Sequence, residues 1–474
     1  MFFHQRFVPG LAIASYLVGD EKTKEVAVID PTRDVDEFIR IASAEGLRIT
    51  HILETHVHAD FVSGARELKA RLGDKPTIHC SGLGGADWTP SYADHVVKNG
   101  DEVKLGNVRL RVLHTPGHTP EHISWLLFDD SRSSETPWLV FSGDFLFVGD
   151  VGRPDLLGES ARVKLAHDLY HSVFDTLRPL PDFVEVFPAH GAGSLCGKAI
   201  GSRRSSSIGF ERQFNASLKT MPEPEWTQKL LAGMPPAPPY FKRMKKLNKS
   251  GPAILGPTLP GREPISTKAL RERLERDRDA LIVLDVRPKE AFAAAHIAGS
   301  LSIPISPQLP TWAGWILSDD KPIVLIAQTP ADLDETRLQL IRIGFDRIEG
   351  FLDGGMDAWQ NAGLPIEQLA TMSVHELTER LRGSSPPFVL DVRTDGEWNA
   401  GHIDGATHVQ AGMVAGHVDT LPRDREIAVV CGSGYRSTIA ASILMKLGIK
   451  NVASVLGGMT AWQADKGRAL APGA

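Results

Sequence analysis

Short apolar runs recur through the first half of the chain, at 12–18, 26–29, 108–113, 138–141 and 183–187, and each breaks off close to glycine, aspartate or histidine. Their length and β-branched content predict strands, while the spacing of apolar positions in 35–45 and 63–72 predicts helices. Alternating strands and helices imply an α/β scaffold. Polar side chains gather just past the strand ends, where a rigid sheet fixes loops that stay open to solvent.

The pattern changes at 234–263, a stretch rich in proline, glycine and lysine that predicts an extended linker. Beyond it the chain repeats itself. Leu284-Asp285-Val286-Arg287 precedes His296-Ile297, and Leu390-Asp391-Val392-Arg393 precedes His402-Ile403, with the histidine eleven residues after the aspartate in both. Each unit closes on an echo, Gly354-Gly355-Met356-Asp357-Ala358-Trp359 and Gly457-Gly458-Met459-Thr460-Ala461-Trp462. Two α/β units of about 100 residues each are expected, with apolar central strands at 323–326 and 427–430. The expected division is 1–233, linker 234–263, 264–370 and 371–474.

Composition narrows the classes. A chain of 474 residues, 42% hydrophobic and 23% charged, is that of a globular protein of about three domains. The net charge of −6 gives no case for nucleic acid or anionic membrane as partner, and no run is long enough to span a bilayer. The N-terminus lacks the pattern of a signal peptide. Three cysteines, Cys80, Cys196 and Cys431, form no disulfide framework, so a reducing cytoplasm is expected.

Candidate chemistry lies in two places. Thr55-His56-Val57-His58-Ala59-Asp60-Phe61 follows an apolar run, and Thr115-Pro116-Gly117-His118, Ser142-Gly143-Asp144 and Pro188-Ala189-His190 follow three others. Imidazoles and carboxylates on loops at strand ends are metal ligands in waiting. Taken singly, His118 could be a turn residue and Asp144 a helix cap; together they argue for a metal site. The order resembles the metallo-β-lactamase superfamily, except that Phe61 stands where its two-metal members carry histidine. Through Gly152-Arg153-Pro154-Asp155 it is similar to the persulfide dioxygenases within that superfamily.

That resemblance implies an αββα sandwich holding one Fe(II) per chain, with His56, His118 and Asp144 as ligands and His58, Asp60 and His190 around them. The implied reaction takes a small-molecule thiol persulfide and O2 to thiol and sulfite. Arg153 is expected to contact the carrier thiol, a surface salt bridge being the alternative. Gly191 and Ala192 stand where glutathione-using relatives carry an acidic and an aromatic residue, which leaves glutathione, coenzyme A and other small thiols open. Cys196, close to His190 in sequence, is a candidate redox thiol or an inert small hydrophobe.

The second place is Cys431-Gly432-Ser433-Gly434-Tyr435-Arg436, between the strand at 427–430 and a helical run at 438–447. Backbone N–H groups and a helix N-terminus converge there and favour a thiolate. The loop resembles the rhodanese family, as do both echoes. Four residues separate Cys431 from Arg436, one fewer than in cysteine-dependent phosphatases of this fold, which suits sulfur rather than phosphate. Cys431 is then the nucleophile, Arg436 the cation that stabilises moving charge, and Gly432, Ser433, Gly434 and Tyr435 the substrate cradle. Ala327 is opposite Cys431 in the first repeat, so that repeat is expected to be inactive.

The whole resembles persulfide dioxygenase–rhodanese fusions: a metallo-β-lactamase sandwich followed by two rhodanese-like α/β domains, with sulfite or thiosulfate passing through a Cys431 persulfide. A homo-oligomer is expected, with the inactive repeat as candidate interface. The alternatives are a zinc-dependent thioester hydrolase fused to the same domains and a non-catalytic sulfur carrier.

Overall fold

A computed structural model describes residues 1–464 and 470–471 and divides into two units, Met1–Thr258 with Ile341–Gly344, and Leu259–Leu340 with Phe345–Ala474. In the first unit one sheet carries, in spatial order, β1 (Phe2–Val8), β2 (Ile13–Asp20), β3 (Glu25–Ile29), β4 (Arg48–Leu53), β5 (Thr77–Ser81) and β6 (His95–Val97). The first three are antiparallel and β3 to β6 run parallel. The second sheet carries β7 (Glu102–Leu105), β8 (Val108–His114), β9 (Ile123–Asp129), β10 (Leu139–Gly143), β11 (Glu185–Pro188) and β12 (Ser206–Ser207), antiparallel except for β10 with β11.

Strand periodicity explains why the sheets stack. On β2, Ala14, Tyr16 and Val18 turn into a core shared with Leu110, Trp125, Leu127, Phe141 and Phe187 of the other sheet. Leu17 turns the other way, with Val26 and Val28 of β3, and meets Phe38, Ile41 and Leu68 of the covering helices Asp36–Ala44 and Ala65–Arg71. Side chains two apart share a face, so strands apolar on both faces must be covered twice. The second sheet is covered through Leu169, Trp226 and Leu230, which completes the αββα sandwich.

The stretch 234–263 departs from the extended course expected of it. Phe241–Ser250 is a helix whose buried face is Phe241, Met244 and Asn248, and Gly251, at a φ of +86°, ends it. Proline at 235–239 stops short of this helix rather than preventing it.

In the second unit two five-stranded sheets have the same order. The first is β13 (Pro264–Ile265), β17 (Ile348–Leu352), β16 (Ile323–Ile326), β14 (Ile282–Asp285), β15 (Leu301–Ser302); the second is β18 (Ala370–Ser373), β22 (Val452–Leu456), β21 (Ile427–Val430), β19 (Phe388–Asp391), β20 (Thr407–His408). Every pairing is parallel. Asp285 pairs in register with Ile326 and Asp391 with Val430, so Ala327 and Cys431 hold equivalent positions. The repeated Leu-Asp-Val-Arg proves to be a buried ion pair in each repeat. Asp285 binds Arg287 and Asp391 binds Arg393, and the two guanidiniums also donate to the carbonyls of Ala295 and Gly401.

Candidate metal centre and sulfur-transfer loop

The loops that follow β4, β8, β10 and β11 meet at one end of the sandwich. His118 Nε2 lies 3.4 Å from Asp144 Oδ2, His56 Nε2 lies 3.9 Å from the same oxygen, and His190 Nε2 lies 3.4 Å from both Asp144 Oδ1 and Asp60 Oδ2. All are buried, and the three Nε2 atoms and four carboxylate oxygens have no hydrogen-bond partner. Partnerless buried polar atoms are costly, and these fall into two adjoining groups, His56 with His118 and Asp144, and Asp60 with His190 and Cys196, the first of which offers two imidazoles and a carboxylate to a cation.

The opposite ring nitrogens fix the tautomers. His118 Nδ1 donates to the Arg153 carbonyl at 3.0 Å and His190 Nδ1 to the Ala12 carbonyl at 3.2 Å. Thr55 Oγ1 gives its proton to Asp30 at 2.8 Å and so accepts from His56 Nδ1 at 2.9 Å. Each imidazole therefore turns a bare Nε2 lone pair inward, as a metal-ligating histidine does. Burial, with the neighbouring imidazoles, holds His56 well below its ordinary value, and burial also lowers His118. Burial alone would raise Asp144, but the imidazoles around it hold it below the usual carboxylate range.

Two further residues named from the sequence turn towards protein groups. His58 points its Nε2 at Asp30 and Glu54, 3.2 Å from each; burial opposes its charge, but these carboxylates push it well above the histidine norm. It acts from behind the metal loop, and the Phe61 ring packs on it at 4.3 Å. Arg153, the expected contact for the thiol, is buried and fully engaged. It holds Asp155 through two bonds of 2.7 Å and donates to the carbonyls of Leu195 and Pro235, a buried pair rather than the expected surface salt bridge, which leaves its guanidinium turned to protein groups rather than to a thiol. Cys196 lies inside the site, its sulfur within 4.8 Å of ligand atoms of Asp60 and His190, and burial pushes its thiol well up.

Three supports escaped the sequence reading. His122 Nε2 accepts the Asp144 N–H at 2.9 Å, and burial holds this histidine down to about 3, keeping it an acceptor. Glu121 accepts the Val57 N–H at 2.8 Å, and burial raises it to about 7. The run His118-Thr119-Pro120-Glu121-His122 carried that signal, for it sets three ionisable groups in one turn. Asn248, on the Phe241–Ser250 helix, donates to the carbonyls of His58 and Phe61 and accepts the Ser63 N–H, at 2.8, 2.7 and 2.9 Å.

In the second unit Cys431 caps β21, and its sulfur accepts the Gly434 N–H at 3.1 Å and lies 3.6 Å from Ser437 Oγ. Gly434, at a φ of +99°, opens the twelve-residue helix Tyr435–Lys446. The glycine echo closes the loop from below. A Cβ on Gly458 would come within 2.2 Å of the Cys431 carbonyl, which instead accepts the Met459 N–H at 2.7 Å. Arg436 is clasped by Glu397 through bonds of 2.6 and 2.7 Å, and that guanidinium holds Glu397 down to about 2. Ser433 is exposed. Tyr435, expected in the cradle, turns its hydroxyl to the Pro304 carbonyl and Ser306 of the first repeat, both at 2.9 Å.

A four-loop metal centre on an αββα sandwich and a cysteine loop in the second of two duplicated parallel sheets define the class. The chain belongs to the metallo-beta-lactamase superfamily, whose model matches residues 8–190, and it carries two rhodanese-like domains, matched at 266–362 and 373–465. Among proteins of known name it is similar to "Persulfide dioxygenase ETHE1, mitochondrial" of Homo sapiens, 30% identical over 191 residues, which are 40% of this chain and 68% of that protein. The Bos taurus protein of the same name is 29% identical over 206 residues, 43% of this chain and 74% of its own. A crystal structure of a metallo-beta-lactamase from Staphylococcus aureus subsp. aureus COL is 37% identical, with a TM-score of 0.65, covering 74% of this chain and 98% of its own. No helix among the described residues is long and apolar enough to cross a membrane.

Proposed function

We propose that this chain is a persulfide dioxygenase joined to a thiosulfate-handling sulfurtransferase. The observation that carries the first half is the convergence of bare Nε2 atoms of His56 and His118 on the partnerless carboxylate of Asp144. Two imidazoles and one carboxylate are the donor set suited to a single ferrous ion, which when bound supplies open positions for a persulfide sulfur and dioxygen. His58 is spent on Asp30 and Glu54, and Phe61 offers no ligand, which favours one metal over two. The human and bovine relatives bear the name of this activity.

The chain's own residues orient and protect. Thr55, the Arg153 carbonyl and His122 hold the donor set in one geometry, and such partners tune affinity. Asp60 and His190, 3.4 Å apart, flank Asp144 and are placed to take and return the persulfide proton. The overall change is R–S–SH + O2 + H2O → R–SH + SO3²⁻ + 2H⁺. Cys431 then handles the sulfite or its thiosulfate adduct, with Ala327 leaving the first repeat unable to carry sulfur. Three unpaired cysteines fit a reducing cytoplasm as the site of action.

The test is anaerobic iron loading followed by metal analysis and oxygen uptake with glutathione, coenzyme A and other thiol persulfides. One iron per chain, oxygen consumption and sulfite release are expected. Zinc in the protein, no oxygen uptake and cleavage of a thioester would establish the hydrolase instead. Turnover of small molecules left intact by His118→Ala would favour the sulfur carrier.

A further inference from the structure

The repeat without a cysteine forms one wall of the Cys431 loop. Phe292 of the first repeat is fully buried in the same core as Leu390, Val429 and Cys431, and the Ser302 N–H donates to Ser442 Oγ on the Tyr435–Lys446 helix at 3.0 Å. Tyr435, the residue after Gly434, is moored on Pro304 and Ser306. Against Gly434 itself lies Lys289, whose Cε is 3.2 Å from where a Cβ would stand. The Gly434 N–H is the one bonded to the Cys431 sulfur. Summing these contacts with ordinary bond lengths puts the Lys289 Cε no more than about 10 Å from that sulfur.

The loop's own cation is already occupied. Arg436 gives both terminal nitrogens to Glu397, whereas Lys289 is paired, among the described residues, only with Glu290, which is 67% exposed on its side chain. A solvent-exposed pair of neighbouring residues is weak and easily exchanged for another anion. Thiosulfate and sulfite are dianions, and a thiolate nucleophile repels them unless a cation stands at the entrance.

We propose that Lys289, supplied by the repeat that cannot itself carry sulfur, is the positioning residue that recruits anionic sulfur species to Cys431. This rests on the sulfurtransferase reading of that loop. In the step it serves, the Cys431 thiolate attacks the outer sulfur of thiosulfate, the S–S bond of thiosulfate breaks, and sulfite leaves with the bonding pair. A cysteine persulfide anion remains, with no net oxidation. An acceptor such as cyanide removes the outer sulfur as thiocyanate and restores the thiolate.

The full-length protein, with Lys289→Met, Lys289→Arg and Glu290→Gln variants, is assayed for thiocyanate formation from thiosulfate and cyanide across a range of salt. At low salt, Lys289→Met raises KM for thiosulfate about five- to tenfold with kcat falling less than twofold, the size expected of one charge at such a distance. Lys289→Arg restores KM, Glu290→Gln lowers it, and added salt closes the gap between wild type and Lys289→Met. An unchanged KM in Lys289→Met, or a loss of kcat together with a lowered melting temperature and no rescue by arginine, overturns the assignment. A wild type that forms a Cys431 persulfide and thiocyanate while the Lys289 variants match it refutes this inference alone. A wild type that transfers no sulfur refutes the reading on which it rests.

Discussion

Replacing Asn248 with alanine should loosen the metal loop without touching a metal ligand. The amide group is buried at 1% exposure and makes three bonds, to the carbonyls of His58 and Phe61 and from the Ser63 N–H. At about 1 kcal/mol net for each bond, truncation costs about 3 kcal/mol, and stranding three backbone groups away from water adds to it. Hydrogen exchange in the intact protein, followed on peptides spanning residues 54–64, reads the local opening directly. A cost of about 3 kcal/mol predicts roughly a hundredfold faster exchange there. The Asn248→Asp variant keeps an acceptor for Ser63 but loses both donors, so it should lie close to the alanine variant. An acceleration below about tenfold in Asn248→Ala would mean the helix merely lies over the loop, since that corresponds to about one ordinary bond.

Other outcomes follow from named contacts. His122→Ala removes the acceptor for the Asp144 N–H and should weaken metal binding about 10- to 100-fold in chelator competition. Gly458→Ala sets a Cβ against the Cys431 carbonyl at a φ of +53°, and should cost about 2 kcal/mol or more in denaturant unfolding while abolishing thiocyanate formation. Glu397, held down to about 2 by Arg436, contributes stability present above the ordinary glutamate value and lost as pH falls towards 2. Because the pair is partly exposed, Glu397→Gln should cost only about 1 kcal/mol at pH 7, with the difference from wild type shrinking below pH 4.5 in urea titrations. Cys431→Ser should end sulfur transfer and leave oxygen uptake intact, and His118→Ala should do the reverse.

The chain announces its strands and its candidate ligands better than it announces their orientation. Apolar runs at 323–326 and 427–430 became β16 and β21 with the same bounds, because a central parallel strand is buried on both faces and tolerates nothing else. His56, His118 and Asp144 were legible because each stands just past a strand end. The resemblance set His56 apart from His58 as the expected ligand, whereas the contact that holds His58 away from the candidate site comes from Asp30, 28 residues away in sequence. Arg153 failed for a related reason, since the carbonyls of Leu195 and Pro235 that claim it come from distant loops. The Phe241–Ser250 helix was hidden by the prolines before it, although Phe241, Met244 and Asn248 keep helical spacing and Gly251 stands at its end.

Phe292 gives the cysteine-free repeat a meaning beyond catalysis. A fully buried aromatic ring from one repeat, seated in the other's core beside Cys431, ties the folding of the two together. The first repeat does without a cysteine, but removing that repeat would strip a core residue from the second and leave an apolar socket at the surface. Such a pair can diverge in chemistry but cannot be reshuffled. Residues 371–474 expressed alone should aggregate, and a gene fusion that borrows only the cysteine-bearing half inherits that instability.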